Sequence, residues 1–241
     1  MTAETVSTVK SEGKELKLLR RGDHYEIIYN GIFLMATYGG KSEQEMVADA
    51  LFYVSQNKLS EIRVLLGGLG VGYSLMPAVE DDRVSQIDVV ELEQEIIDWN
   101  FTYFRSYNQN VLENEKVSIV QKDIFDFLKD YLNKNHGGHG GFRRQGYDLV
   151  ILDIDNGPDW LVKESNALLY QKEGLELVKQ SMSTDGLVVI WAMNKEVVLE
   201  NALLSHFHQV FSREYLNEDH KGRIHKDCVY FGARKRHIHS K

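Results

Sequence analysis

The sequence predicts an α/β protein, a Rossmann-like and mostly parallel sheet with an antiparallel C-terminal hairpin, preceded by a small N-terminal β-meander. Three observations carry the prediction. Residues 63–92, RVLLGGLGVGYSLMPAVEDDRVSQIDVVEL, read as strand, glycine turn, helix and second strand. Beyond them, short apolar runs alternate with helix-length amphipathic stretches, as parallel strands joined by crossover helices require. Before them, residues 15–37 form three short strand-like runs separated by Arg21-Gly22-Asp23 and Asn30-Gly31, and Asn-Gly between apolar runs signals a hairpin.

Composition sets the outer limits. The 241 residues are 43% hydrophobic, enough for a sizeable core, and carry a formal charge of −8 without a basic stripe. Nucleic-acid binding needs clustered Lys and Arg to neutralise phosphates, so it is not expected as the main activity. Cys228 is the single cysteine, which rules out an intramolecular disulfide or a Cys-type zinc site, and its apolar setting makes it a small core residue. No apolar run reaches membrane-spanning length and the first residues lack a signal-peptide core, so a soluble cytoplasmic protein with no membrane partner is expected.

Taken in order, residues 1–14 are polar and expected to fray. Strands are predicted at 15–20, 24–29 and 32–36. Gly39 and Gly40 mark a division into an N-terminal β-region, 1–40, and a Rossmann-like domain, 41–241. Ser42 and Glu45 suggest a capping box for a helix to about Gln56. Val64 to Leu66 is a strand buried on both faces, followed by Gly67, Gly68, Gly70 and Gly72. Glycines there let the chain turn sharply and let a ligand approach backbone N–H groups. A helix over 73–79 and a strand over 87–90 follow, with Glu91 at the strand's carboxyl end. Further elements are a helix over 91–105, a strand over 117–120, a helix over 124–132, a strand over 147–152, a helix over 166–181, a strand over 187–191, a helix over 195–204 and a closing pair at 210–215 and 227–233. His136 and His139 sit in a glycine-rich stretch with no third ligand nearby, which favours solvated histidines and no metal.

The chemistry gathers where the strands end, because open parallel sheets bind ligands outside their carboxyl ends. Glu91, about 20 residues beyond the glycine turn, is placed to accept hydrogen bonds from ribose hydroxyls. Asp123, with Ile124, suits either a base amino group or a helix N-cap, and one carboxylate can serve both. Asp153, Asp155 and Asn156 follow the fourth core strand in a stretch that also has good turn chemistry. Acids lining one cleft would hold a ribose, an amino group and a cation, and a sulfonium nucleoside offers all three. Alkyl transfer from sulfonium is an in-line displacement served by positioning and electrostatics. An amine acceptor must lose a proton to attack, a task for Asp153 or Asp155, with Asn156 accepting a hydrogen bond from the same amine.

The chain resembles the spermidine synthase family, whose core is similar to that of class I S-adenosylmethionine-dependent methyltransferases. LLGGLGVG, VVELEQEIIDW, QKDIFDFL and DLVILDIDNGP carry the resemblance. It implies a nucleoside site at Gly67, Gly68, Gly70, Gly72, Glu91, Leu92, Asp123 and Ile124, acceptor chemistry at Asp153, Asp155 and Asn156, S-adenosylmethionine or its decarboxylated form as co-substrate, a small amine-type acceptor, and a homodimer. Three departures stand out. The acid of the family's glycine turn is Gly70 here, its Tyr-His-Glu stretch is Glu43-Gln44-Glu45, and its Asp-Ser-Ser-Asp motif is Asp153-Ile154-Asp155-Asn156. A missing carboxylate beside the donor tail favours ordinary S-adenosylmethionine, so the residues lean to methyl transfer. Aminopropyl transfer is the alternative, and a non-catalytic nucleoside-binding or scaffolding protein is another. An NAD-dependent oxidoreductase is less favoured, because Tyr73 stands where the dinucleotide fingerprint needs its third glycine.

Overall fold

A computed structural model describes residues 3–11, 13–58, 60–136, 146–154, 157, 161, 163–218 and 223–235. Asp155, Asn156 and His139, and the side chain of His136, lie outside these residues, so the roles expected of them are not addressed below.

The N-terminal sheet has four antiparallel strands in sequence order, β1 (Glu4–Ser11), β2 (Lys14–Arg21), β3 (His24–Tyr29) and β4 (Ile32–Ala36). β1 corrects the expectation of a frayed N-terminus. Its β-branched Thr5, Val6, Thr8 and Val9 suit a pleated strand despite their polar neighbours, and β1 pairs along β2 from Glu4↔Arg20 to Ser11↔Lys14. The other three strands lie within two residues of the expected ranges.

The larger sheet is built from β5 (Ile62–Gly67), β6 (Val84–Glu91), β7 (Val117–Gln121), β8 (Tyr147–Leu152), β9 (Met182–Ala192), β10 (Gln209–Glu218) and β11 (Ile224–Ala233). Their spatial order is β10-β11-β9-β8-β5-β6-β7, parallel from β9 to β7, with β11 antiparallel to both neighbours. The chain winds outward from β5 through β6 to β7, then returns to place β8 on the other side of β5. That reversal opens a crevice at the carboxyl ends of β5 and β8.

Helices cover both faces. α1 (Lys41–Ser55), α2 (Leu75–Glu80) and α3 (Gln94–Thr102) pack on one, and α4 (Ile124–His136), α5 (Lys172–Ser181) and α6 (Val197–His206) on the other. Alternate strand residues divide between the two cores: Val64 and Leu66 join the α1 side, Leu65 the α4 side. Cys228 is buried in the second core, as expected of a small apolar residue. Among the described residues no helix is long and apolar enough to cross a membrane.

Three further expectations need correction. α1 starts at Lys41 with Gly40 as N-cap, so Ser42 and Glu45 form no capping box; the Ser42 hydroxyl donates to the Glu43 carboxylate and Glu45 pairs with Lys41 at 3.6 Å. The helix expected from Glu91 begins only at Gln94, because Glu91 closes β6 and its carboxylate accepts the N–H of Glu93 at 2.9 Å. The helix expected over 166–181 splits into a 3-10 turn, Glu164–Tyr170, and α5, with Gln171 extended between them.

Candidate active site

The crevice is a cleft with walls from both sheets. One wall is the edge predicted from sequence. Gly68, Gly70, Glu91, Leu92, Asp123, Ile124 and Asp153 all line it and so share a single hollow. Gly67 and Gly72 do not line the cleft. Gly67 packs under Ile124 and Leu152, and Gly72 backs onto Asn100 and Asn108.

The glycine turn is fixed by close approaches. A Cβ on Gly68, whose φ is +89°, would come within 2.0 Å of the Asp153 carbonyl oxygen, so the turn crosses the end of β8 with no room for a side chain. Gly70, φ +51°, faces the Met35 sulfur, 2.7 Å from where its Cβ would stand. Met35 Sδ in turn accepts the Val71 N–H at 3.2 Å, so β4 lies on the turn. From below, Asn100 Nδ2 donates to the Gly70 carbonyl at 2.8 Å and Asn108 Nδ2 to that of Val71 at 3.1 Å. Tyr73, at the place of a third fingerprint glycine, is buried and donates its hydroxyl to the Thr37 carbonyl at 2.8 Å.

Glu91 lies at the end of β6. Its two carboxylate oxygens accept the N–H of Leu69 and of Glu93, each at 2.9 Å, tying the glycine turn to the neighbouring strand. Burial pushes this carboxyl up to about 7 against the pull of those N–H groups. Asp123 has the helix N-cap role foreseen for it, and its other oxygen is held by a lysine. Oδ1 accepts the Phe125 N–H at 2.9 Å at the start of α4, and Oδ2 pairs with Lys163 Nζ at 2.9 Å. Burial alone would raise its pKa, but Lys163 and the N–H groups of Phe125 and Asp126 hold it below the usual carboxylate range.

At the other end of the cleft, Asp153 follows β8 and accepts the Ser74 hydroxyl. Facing it is Glu43, in the first turn of α1 and 6% exposed. Burial, then the charge of Asp153, push the Glu43 carboxyl up to about 8. Burial also carries Asp153 up to about 6, opposed by Ser74 and reinforced by the charge of Asp227. Asp227, on β11 and 1% exposed, is raised by burial and partly compensated by Ser42 and Asn217. Asn217 Nδ2 donates to Asp227 Oδ2 at 3.1 Å and to Ser42 Oγ at 3.2 Å. Three acids whose pKa values all rise are held where a cation would relieve them.

Sequence reading missed the second wall. Ile27, Tyr29, Leu34 and Met35 of the N-terminal sheet line the cleft, and so do Lys163 and Trp191. Glu43 was visible only as a departure from a motif, and Asp227 only as the first residue of the predicted closing strand 227–233.

The family model for the spermine/spermidine synthase domain matches residues 41–219. The chain belongs to the spermine/spermidine synthase domain family. Among curated relatives, polyamine aminopropyltransferase 1 of Hyperthermus butylicus is 26% identical over 132 residues, which is 54% of this chain and 40% of that protein. The polyamine aminopropyltransferase of Mycobacterium tuberculosis is 25% identical over 179 residues, 74% of this chain and 31% of its own length. The chain thus spans less than half the length of these relatives. The fold is that of spermidine synthase. A spermidine synthase in complex with the transition state analogue AdoDATO superposes with a TM-score of 0.70 at 14% identity, over 96% of this chain and 72% of that one, and the enzyme from Thermotoga maritima matches with the same score and coverage at 13%.

Proposed function

We propose that this member of the spermine/spermidine synthase domain family transfers an aminopropyl group from decarboxylated S-adenosylmethionine to a small amine acceptor. The observation that carries the reading is the pair of buried carboxyl groups, Glu43 and Asp153, at one end of a cleft whose other end holds Glu91 and Asp123. Buried acids attract an amine-only donor tail and repel a tail that also bears a carboxylate. The sequence argument for methyl transfer rests on Gly70 leaving the donor tail without an acidic neighbour. Glu43 supplies that acid from α1, and the curated relatives named aminopropyltransferases favour the same direction.

In this reading Glu91 takes the ribose hydroxyls, Leu92 and Ile124 flank the base, and Asp123 receives its amino group once Lys163 moves aside. Asp153 orients the acceptor amine. The chain's contribution to the in-line displacement is alignment and electrostatics, as the positive charge passes from the donor sulfur to the acceptor nitrogen. Methyl transfer has one observation in its favour. Met35 fills the space beside Gly70, so the glycine turn itself offers no negative charge to a donor carboxylate.

Titration calorimetry with S-adenosylmethionine, its decarboxylated form and the thioether product decides the matter. Tighter binding of the decarboxylated donor by about tenfold, near 1.4 kcal/mol, is expected. Preference for ordinary S-adenosylmethionine would favour methyl transfer, and failure of all three to bind would overturn both readings.

A further inference from the structure

We infer that Met35 is a determinant of donor specificity: by taking the Val71 N–H of the glycine turn, its thioether denies a binding partner to any donor whose tail ends in a carboxylate. The inference rests on the transferase reading above and adds a residue of the N-terminal sheet to it.

A glycine turn at the end of a parallel strand ordinarily attracts anions, because it offers backbone N–H groups to the crevice. Here the chain itself takes them. The Gly68 N–H donates to the Val90 carbonyl at 2.9 Å, that of Leu69 to the Glu91 carboxylate at 2.9 Å and that of Gly72 to the Leu69 carbonyl at 2.8 Å. Val71 is held differently. Its N–H donates to Met35 Sδ at 3.2 Å, and a thioether is a weak acceptor beside a carbonyl or a carboxylate. Val71 is fully buried, so without the sulfur its N–H would be an unpaired buried donor that a ligand oxygen would relieve.

The backbone aims Met35 at this point. β3 and β4 pair Ile27 with Met35 and Ile28 with Phe33, so Leu34 is an extra residue in β4, a bulge. Strict alternation would turn Leu34 or Met35 away from the cleft, and with the bulge both line it. The Met35 sulfur then stands 2.7 Å from where a Cβ on Gly70 would lie, so it also fills the space in front of the turn. The lack of charge beside Gly70 spares a donor carboxylate a repulsion, but the same methionine removes a backbone donor that could hold it. An amine-only tail loses nothing by this, because an ammonium group donates hydrogen bonds and accepts none.

Titration calorimetry of the full chain and its Met35 variants tests the inference, with decarboxylated S-adenosylmethionine, S-adenosylmethionine and the tail-free thioether methylthioadenosine as ligands. Met35→Ala frees the Val71 N–H and the space before it. It should tighten ordinary S-adenosylmethionine relative to the decarboxylated donor by about tenfold, the worth of one charge-assisted hydrogen bond, while methylthioadenosine shifts with the decarboxylated donor. Met35→Gln, whose side-chain carbonyl can accept the same N–H, should keep the wild-type ratio, and a ratio matching that of Met35→Ala would count against the inference. An unchanged ratio in Met35→Ala would overturn it. So would an equal gain for all three ligands, since Met35 would then only narrow the cleft. If Met35→Ala does not fold by circular dichroism, Met35→Leu, which keeps the volume and removes the acceptor, decides in its place by the same ratio. A wild type that prefers the decarboxylated donor, with a ratio indifferent to Met35, would leave aminopropyl transfer standing and remove only this role. A wild type that prefers ordinary S-adenosylmethionine, or binds none of the three, would remove both.

Discussion

The two glycines that line the cleft differ in what surrounds them, and this difference can be measured. Gly68 approaches a backbone carbonyl that cannot move without disturbing β8, whereas Gly70 approaches the end of a flexible methionine. Both have positive φ, so alanine is strained at either position by about 1–3 kcal/mol. Only at Gly68 does a backbone clash add to the strain. Gly68→Ala should therefore lower the melting temperature clearly more than Gly70→Ala, and equal losses would contradict the packing described for the turn. Much at this level was legible in the sequence. Glu91, Asp123 and Asp153 could be placed because each lies within three residues of the end of an apolar run that reads as a strand. Glu43 and Met35 could not, since neither lies near the glycine turn in sequence and no local period announces that α1 and β4 meet there.

The N-terminal sheet acts as a roof whose attachment depends on a few polar contacts. Lys14 of β2 reaches the Glu93 and Glu95 carboxylates beside α3, the latter at 3.0 Å, and its side chain is 18% exposed. The roof carries Tyr29, Leu34 and Met35 into the cleft. Lys14→Ala should cost about 2 kcal/mol in chemical denaturation, as charge-assisted hydrogen bonds to buried groups are lost. Because the roof is loosened, it should also weaken binding of the thioether product severalfold by calorimetry. Lost stability with unchanged affinity would show that the sheet is not part of the site. Strands β5 and β8 were readable to within two residues, since continuous apolar runs bounded by turns leave little choice. β1 was not, because its strand-forming residues are diluted by Lys and Ser, and only pairing with β2 brings them into order.

Over the entire protein, the perturbed acids make stability depend on pH. Glu43, Glu91 and Asp153 have folded pKa values of about 8, 7 and 6, all above their ordinary values. The folded chain therefore binds more protons than the unfolded chain between the two sets of values, and stability must fall as pH rises through this window. Asp123 is shifted the other way, and its contribution is lost only in more acidic solution, below that window. The free protein is expected to melt a few degrees lower at pH 8.5 than at pH 6, and a bound cationic amine should flatten the slope. A melting temperature that rises over that interval would mean the three carboxyls are not held as described. The fold class was readable from alternating strand and helix patterns, but the four-stranded sheet's place over the crevice was not, because it depends on contacts between distant parts of the chain.

The position of β11 bears on how the chain assembles. β11 follows β9 and β10 in sequence yet lies between them, so the backbone of β9 has an open hydrogen-bonding edge during synthesis until residues 224–233 leave the ribosome. Asp227 arrives with that strand. The nascent protein can thus assemble its central layers and still lack the brace of the Ser42–Glu43 pair, so the cleft is complete only once β11 has joined the sheet.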